Sequence, residues 1–309
     1  MYKIAILLKT YLGDISYVER LIPSYHKYNK EQIPLYIVVP QIDLPSFERF
    51  QSLGIKLLSD ESITGNLVKD NRVRGIRPGY INQEIIKLAF WEKNLCENYF
   101  CMDSDGVFIR DFYVSDFMYD EKTPYTILGE DHEFKVDPEY FKNHWEERER
   151  LLKIIQHNIG LKDDRMLTCH GFAILSCKVL QSLHDNFMQL NNFTYIDLLK
   201  KAPYEFSWYN MWLQKDKTIP IEIKEPLIKS FHQESQHREY KAKGIRINDI
   251  ARAYIGYNVN SNYSRGYGVL NYNDVNKYDT TDDSIIRLLK KAGVLFLRKV
   301  EYKLKSRNN

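Results

Sequence analysis

The sequence predicts an α/β fold: a mostly parallel central sheet with flanking helices, followed by a basic amphipathic C-terminal helix. Three observations carry this. Residues 4–58 alternate short apolar runs with helical periods in a β-α-β-α-β order, which favours parallel strands joined by right-handed crossovers. In mid-chain the apolar run Tyr99-Phe-Cys-Met stops at two carboxylates one residue apart, Asp103 and Asp105. A buried strand ends that way at the carboxyl edge of an α/β sheet, where such folds bind ligands. Near the end, Ile285, Leu288, Leu289, Leu295 and Val300 interleave with Arg287, Lys290, Lys291, Arg298 and Lys299.

Ile4–Leu8 reads as the first strand, with a polar break around Gly13. Asp14 or Ser16 caps a helix over 16–29, in which Val18, Leu21, Ile22 and Tyr25 fall at helical spacing. Leu35–Val39 is continuously apolar, as a strand buried on both faces should be. A helix over 44–53 stops at Gly54, and Ile55–Leu58 forms the third strand. Residues 59–79 lack period and carry Lys69, Arg72, Arg74 and Arg77, a basic loop that is either a solvated surface or a phosphate contact. A helix over 80–93 buries Ile81, Ile85, Leu88 and Ala89 and places Gln83 and Lys87 on one face. The Tyr99 strand follows, then Val107-Phe-Ile109. Beyond it the pattern predicts a strand at 126–128, a helix over 138–156 and a strand at 172–175. Helices over about 177–190 and 204–213 and a strand at 219–223 complete this half. Ala253–Asp279, rich in Tyr, Asn and Gly, reads as a loop or lid. The domain division is 1–250, in halves of about 1–110 and about 111–250. A loop and tail occupy 251–309.

Composition narrows the function classes. In 309 residues, Lys plus Arg total 44 against 41 Asp plus Glu, a net charge of +3 that argues against a nucleic-acid binder. The 23 tyrosines are expected mostly to pack, with their hydroxyls at the surface. The four cysteines, Cys96, Cys101, Cys169 and Cys177, lack any CxxC pair and read as reduced core residues of a cytoplasmic protein. No signal-peptide pattern opens the chain, and no stretch approaches the ~20 apolar residues of a membrane span. The basic tail reads either as a helix packed on the body or as a peripheral contact with the inner face of an anionic membrane.

Two carboxylates side by side are costly to hold without a cation. A calcium loop fails, because its third ligand position is Val107 and its glycine position Phe108. Asp103-Ser-Asp105-Gly-Val resembles the first motif of haloacid-dehalogenase-type phosphatases, with Asp103 as nucleophile and Asp105 as general acid. That motif belongs on a first strand, however, and no strand leads into Asp163-Asp164, the later acidic pair.

More stretches agree on another resemblance. Leu35-Tyr-Ile-Val-Val-Pro40, Gly79-Tyr-Ile-Asn-Gln83-Glu-Ile-Ile-Lys87-Leu and Tyr99-Phe-Cys-Met-Asp103-Ser-Asp105 resemble a group of bacterial GT-A-type, Rossmann-like glycosyltransferases with a DxD motif. Many of that group are linked to capsule or other cell-surface polysaccharide. His170-Gly171, Tyr204-Glu205-Phe-Ser-Trp-Tyr209 and Phe231-His232 extend the likeness over about three-quarters of the chain. Family members often carry Gln-Gln on the helix before the DxD, where this chain has Asn82-Gln83.

The resemblance implies transfer of a sugar from a nucleotide-sugar donor to a surface glycan or lipid-linked glycan. The transfer would depend on Mn²⁺ or Mg²⁺. Asp105, Asp103 and His232 would hold the metal. Lys9, Thr10, Asp14, Gln83, Lys87 and Asp103 would contact the donor, and His170 and Gly171 the acceptor. Glu205, or else Asp131, would be the base of an inverting reaction. The alternatives are the phosphatase and a catalytically inactive nucleotide- or carbohydrate-binding protein.

Overall fold

The computed structural model describes residues 1–130, 138–163, 165–169, 171–232, 236, 239–240 and 242–260. Its first half follows the apolar pattern closely. Strand β1 (Tyr2–Lys9) leads through α1 (Ile15–Tyr28) to β2 (Leu35–Val39), then through α2 (Leu44–Phe47), flanked by 3-10 turns, to β3 (Lys56–Ser59). Every residue from Ile4 to Leu8 and from Leu35 to Val39 is buried, the expected state of strands covered on both faces. Helix α1 packs Tyr17, Val18, Leu21, Ile22 and Tyr25 inward. Gly54 ends the following segment at φ 77°, a left-handed conformation that suits glycine.

A short helix, α3 (Asp60–Ile63), opens the basic loop. Helix α4 (Pro78–Ala89) closes it, with proline at the first turn, where its missing N–H costs nothing. Asn82, the departure from the Gln-Gln pattern, donates to the Val68 carbonyl at 2.9 Å and accepts from the Val68 amide at 2.8 Å, pinning the loop to the helix. Strand β4 (Cys96–Met102) then enters the sheet beside β1.

Beyond β4 come β5 (Gly106–Phe108), α5 (Val114–Phe117), β6 (Tyr125–Ile127) and α6 (Pro138–Ile159). They are followed by β7 (Ile174–Ser176), α7 (Cys177–Leu183), α8 (Tyr195–Lys201) and α9 (Glu205–Asp216), then β8 (Glu222–Lys224), β9 (Ile228–Phe231) and β10 (Gly256–Val259). The central sheet has the order β3-β2-β1-β4-β7, parallel except for β7. A second sheet has the order β5-β10-β9, and β6 pairs with β8. The mixed α/β class with a mostly parallel sheet is therefore the one expected.

Helix α9 is buried on all sides from Glu205 to Leu213, and its polar Ser207 and Asn210 are hydrogen-bonded within the core, to Thr168 and to the Ile127 carbonyl. Trp208 Nε1 donates to the Ala202 carbonyl at 2.9 Å, and the Tyr209 hydroxyl accepts from the Ser176 amide at 2.9 Å. These bonds fix the helix whose first residue is Glu205.

Several expectations need correction. Ala253–Asp279 is not all loop, since β10 lies within it as the middle strand of the second sheet. Val107 belongs to that sheet rather than the central one. Strand β9 was missed because only Ile228 and Phe231 mark it as apolar, and the late strand begins at Glu222 rather than 219. Asp14 occupies the helix-cap position but makes no capping bond, and instead accepts from the Ser104 hydroxyl at 3.1 Å. Tyr17, Tyr99, Tyr195, Tyr209 and Tyr257 are buried, hydroxyls included in the packing. The basic tail and residues 261–279 lie outside the described residues. Among the described residues no helix is long and apolar enough to cross a membrane.

Gly256 shows how tightly the second sheet is set. A Cβ there would lie 2.5 Å from the Val107 carbonyl oxygen and 2.8 Å from Ile228 Cδ1, so backbone would have to move. Gly256→Ala is expected to destabilise the protein by about 1–3 kcal/mol, measured by urea unfolding.

Candidate active site

Strands β1, β3 and β4 end at one side of the sheet, and a cavity of about 770 Å³ opens there. Residues of α4, α9 and β10 complete its wall. This is the carboxyl edge at which the sequence placed Asp103 and Asp105, and both line the cavity.

The turn that carries them is held from four directions. Gly106 donates its amide to the Asp103 carbonyl at 3.1 Å. Asp103 Oδ1 accepts from Lys87 Nζ at 3.1 Å and from Gln83 Nε2 at 3.3 Å, both on α4. Asp105 Oδ1 accepts from Asn258 Nδ2 on β10 at 3.1 Å, and its backbone carbonyl accepts from Arg20 on α1 at 3.4 Å. Ser104 between them bonds Asp14. The two carboxylates thus take different protein partners.

Lys87 is not an exposed helix lysine but a buried part of the cavity wall. It is 3% exposed, and its ammonium lies 3.1 Å from Asp103 and 3.2 Å from Glu205 Oε1. Burial alone would push it toward neutrality, but the two carboxylates outweigh burial and hold its pKa well above the usual lysine value. Glu205, 8% exposed at the start of α9, is bound through this contact.

At the β1–β3 end, Lys9 and Thr10 line the cavity as expected, but Lys9 is committed to a buried pair with Asp60. The distance is 3.1 Å and both side chains are 5% exposed. Burial depresses the Lys9 ammonium, and burial raises the Asp60 carboxyl to about 6, in each case against the pull of the partner. Asp14 also lines the cavity.

His232 follows β9 into the cavity. Burial, reinforced by Lys229 and opposed by Asp103, pushes its imidazole down to about 4, so it is neutral at physiological pH. The two carboxylates suit a hard divalent cation such as Mg²⁺ or Mn²⁺, whereas a neutral imidazole suits a borderline transition-metal ion. Among the described residues, no three His, Cys, Asp or Glu side chains close on one point as a metal cage. Mg²⁺ and its relatives do not need one, because they take one or two carboxylates and complete their shell with substrate phosphates.

Gly171 lines the cavity at φ 82°. His170 and Asp131 lie outside the described residues. The sequence reading missed Asp60, Glu84 and Asn258, all of which line the cavity. For Glu84 a signal existed, since a carboxylate falls three residues after Ile81 and four before Leu88 on the buried stripe of its helix. For Asn258 none did, because its strand lies in a stretch of loop-like composition.

Two outcomes follow from the buried charges. Lys87→Met leaves Asp103 and Glu205 without their cation and is expected to cost about 3–5 kcal/mol of unfolding free energy, with part of it restored by adding Glu205→Gln. For Asp60, the folded state binds a proton more tightly than the unfolded chain, so its contribution to stability falls as pH rises from 3.8 through about 6. Asp60→Asn is expected to flatten the melting temperature across that window.

No curated protein gives a significant match to the sequence. Among solved structures, the crystal structure of mouse xyloside xylosyltransferase 1 in its apo form aligns with a TM-score of 0.48 and 9% identity, covering 84% of this chain and 98% of that one. Residues 3–248 match the profile of a family described as "Family of unknown function (DUF6492)", and the chain belongs to that family.

Proposed function

We propose that this protein is a GT-A-like glycosyltransferase that moves a sugar from a nucleotide-sugar donor to a glycan acceptor. The observation that carries the reading is the joint placement of Asp103, Asp105 and Glu205 on one cavity at the carboxyl edge of a parallel sheet, with Lys87 linking the first to the third. The cavity volume is within the range of small-molecule sites. Its β1–β3 end would take the nucleoside. Its α4–α9 wall, with Tyr80, Tyr204 and Phe206, would take the sugar.

In this reading Asp105 and His232 would hold the cation, and Asp103, already bonded to Lys87 and Gln83, would orient the ribose. A divalent cation bound there offsets charge on the departing diphosphate. The bond between the sugar's anomeric carbon and the diphosphate oxygen breaks as the bond to the acceptor oxygen forms. Glu205 takes the proton that the acceptor hydroxyl releases. Lys87 holds Glu205 in place through its 3.2 Å contact, without itself touching the substrate.

The acceptor proposed is a bacterial surface glycan or its lipid-linked precursor, the setting that the sequence resemblance suggests. Of the two readings of the basic tail, peripheral membrane contact would bring the enzyme to a lipid-linked acceptor.

The test is thermal melting with UDP, GDP and CMP, each with and without Mn²⁺. One nucleotide should raise the melting temperature in a Mn²⁺-dependent way, and Asp105→Asn should abolish the Mn²⁺-dependent part. Absence of a shift with every nucleotide would overturn the transferase. Hydrolysis of an aryl phosphate lost in Asp103→Asn would replace it with the phosphatase, for which a lysine against Asp103 would also serve.

A further inference from the structure

The transfer outlined above leaves Glu84 without a task. This residue is on α4, one turn before Lys87, and is 2% exposed. Neither of its carboxyl oxygens has a hydrogen-bond partner among the described residues. It nevertheless lines the cavity, next along the helix from Gln83 and one turn after Tyr80. Burial first, then the carboxylate of Glu205, raise its pKa well above the usual carboxyl value, while Lys87 pulls the other way. Burial and Glu205 both favour the protonated form, which has one O–H to donate and one carbonyl oxygen to accept.

A structural role does not explain this arrangement. Buried polar groups that stabilise a fold are almost always hydrogen-bonded, and a group with both oxygens unbonded destabilises it. The position calls for an apolar residue, since Ile81, Ile85 and Leu88 surround it on the same stripe. A leucine would fill it without an orphaned group.

We infer that Glu84 is a specificity residue that reads two adjacent hydroxyls of a sugar ring. Its O–H donates to one hydroxyl oxygen, and its carbonyl oxygen accepts from the neighbouring hydroxyl. Aromatic side chains close by on α9 and before it suit a pyranose face: Phe206 and Tyr204 line the same wall, and the Phe206 ring is fixed under Lys87 with the ammonium 4.8 Å from its centre. An uncharged acid serves better here than a carboxylate, which would accept from both hydroxyls but donate to neither. The inference rests on the glycosyl-transfer reading for the choice of a sugar over another polyol, such as the ribose of a nucleotide.

The experiment compares wild type with Glu84→Leu and Glu84→Gln. In the absence of ligand, Glu84→Leu should melt higher by about 2–6 °C, as expected when a group kept for binding is replaced by one that packs. Saturation-transfer NMR then reads binding of free D-glucose, D-galactose, D-mannose and D-xylose, with UDP, GDP and CMP in parallel samples. Wild type should bind at least one monosaccharide. Glu84→Leu should lose that binding by about tenfold or more, and Glu84→Gln, which keeps a donor and an acceptor, should retain most of it. Nucleotide binding should be equal in all three proteins.

The inference is overturned if Glu84→Leu is less stable than wild type, or binds monosaccharides equally well. It is also overturned if wild type binds none, or if nucleotide binding falls with the sugar signal intact, which would make ribose the group read. A wild type that binds a monosaccharide through Glu84 but no nucleotide supports the inference and removes the transferase reading instead.

Discussion

The ammonium of Lys87 is the point on which the site depends. A lysine this deeply buried is tolerated only when opposite charges meet it, and here two do, from elements far apart in sequence. Asp103 comes from the end of β4 and Glu205 from the start of α9, 102 residues later. Helix α4 must therefore sit at one height and rotation relative to both. Tyr99 adds a backbone restraint, since its hydroxyl donates to the Lys87 carbonyl at 2.6 Å. Strand, helix and core helix are locked together by one charge and one phenol, and the polar floor of the cavity is set before any ligand arrives.

That arrangement changes what the paired aspartates can do. Read as a sequence, Asp103 and Asp105 are two like charges in need of a cation. In the folded chain Lys87 already answers Asp103, and Asn258 holds one oxygen of Asp105. The two positions are chemically unequal as a result. Asp103 is positioned by a charge, whereas Asp105 is oriented by a neutral amide that leaves its charge uncompensated by that contact.

The parts that the sequence made legible share a physical origin. Leu35–Val39 and the Tyr99 strand are long enough and apolar enough that only a doubly covered parallel strand accommodates them, and the sheet edge follows from where they stop. The ion-pair partners of Lys87 were not legible, because a single helix gives no information about what it meets 118 residues later. Strand β10 was hidden for a related reason. Its Gly-Tyr-Asn-Val sequence has turn-forming composition, and it is a strand because β5 and β9 offer it hydrogen bonds on both sides, a tertiary effect that overrides local preference. Glu84 was legible in part, as a carboxylate misplaced on an apolar stripe, but its lack of a partner is a property of the folded core alone.

The distribution of such groups is itself informative. Thr10 Oγ1, Asp60 Oδ1, both oxygens of Glu84 and Asn258 Oδ1 are buried without a hydrogen bond among the described residues. Imperfect packing would scatter them through the core, each under its own loop or helix end. These four residues line one cavity, from the ends of β1 and β3 to α4 and β10. Chains keep locally unfavourable choices where something other than stability selects them, so the cost concentrates at the site that uses it. Hydrogen-bonding capacity left open along the length of a cavity describes a ligand that is polar along its length.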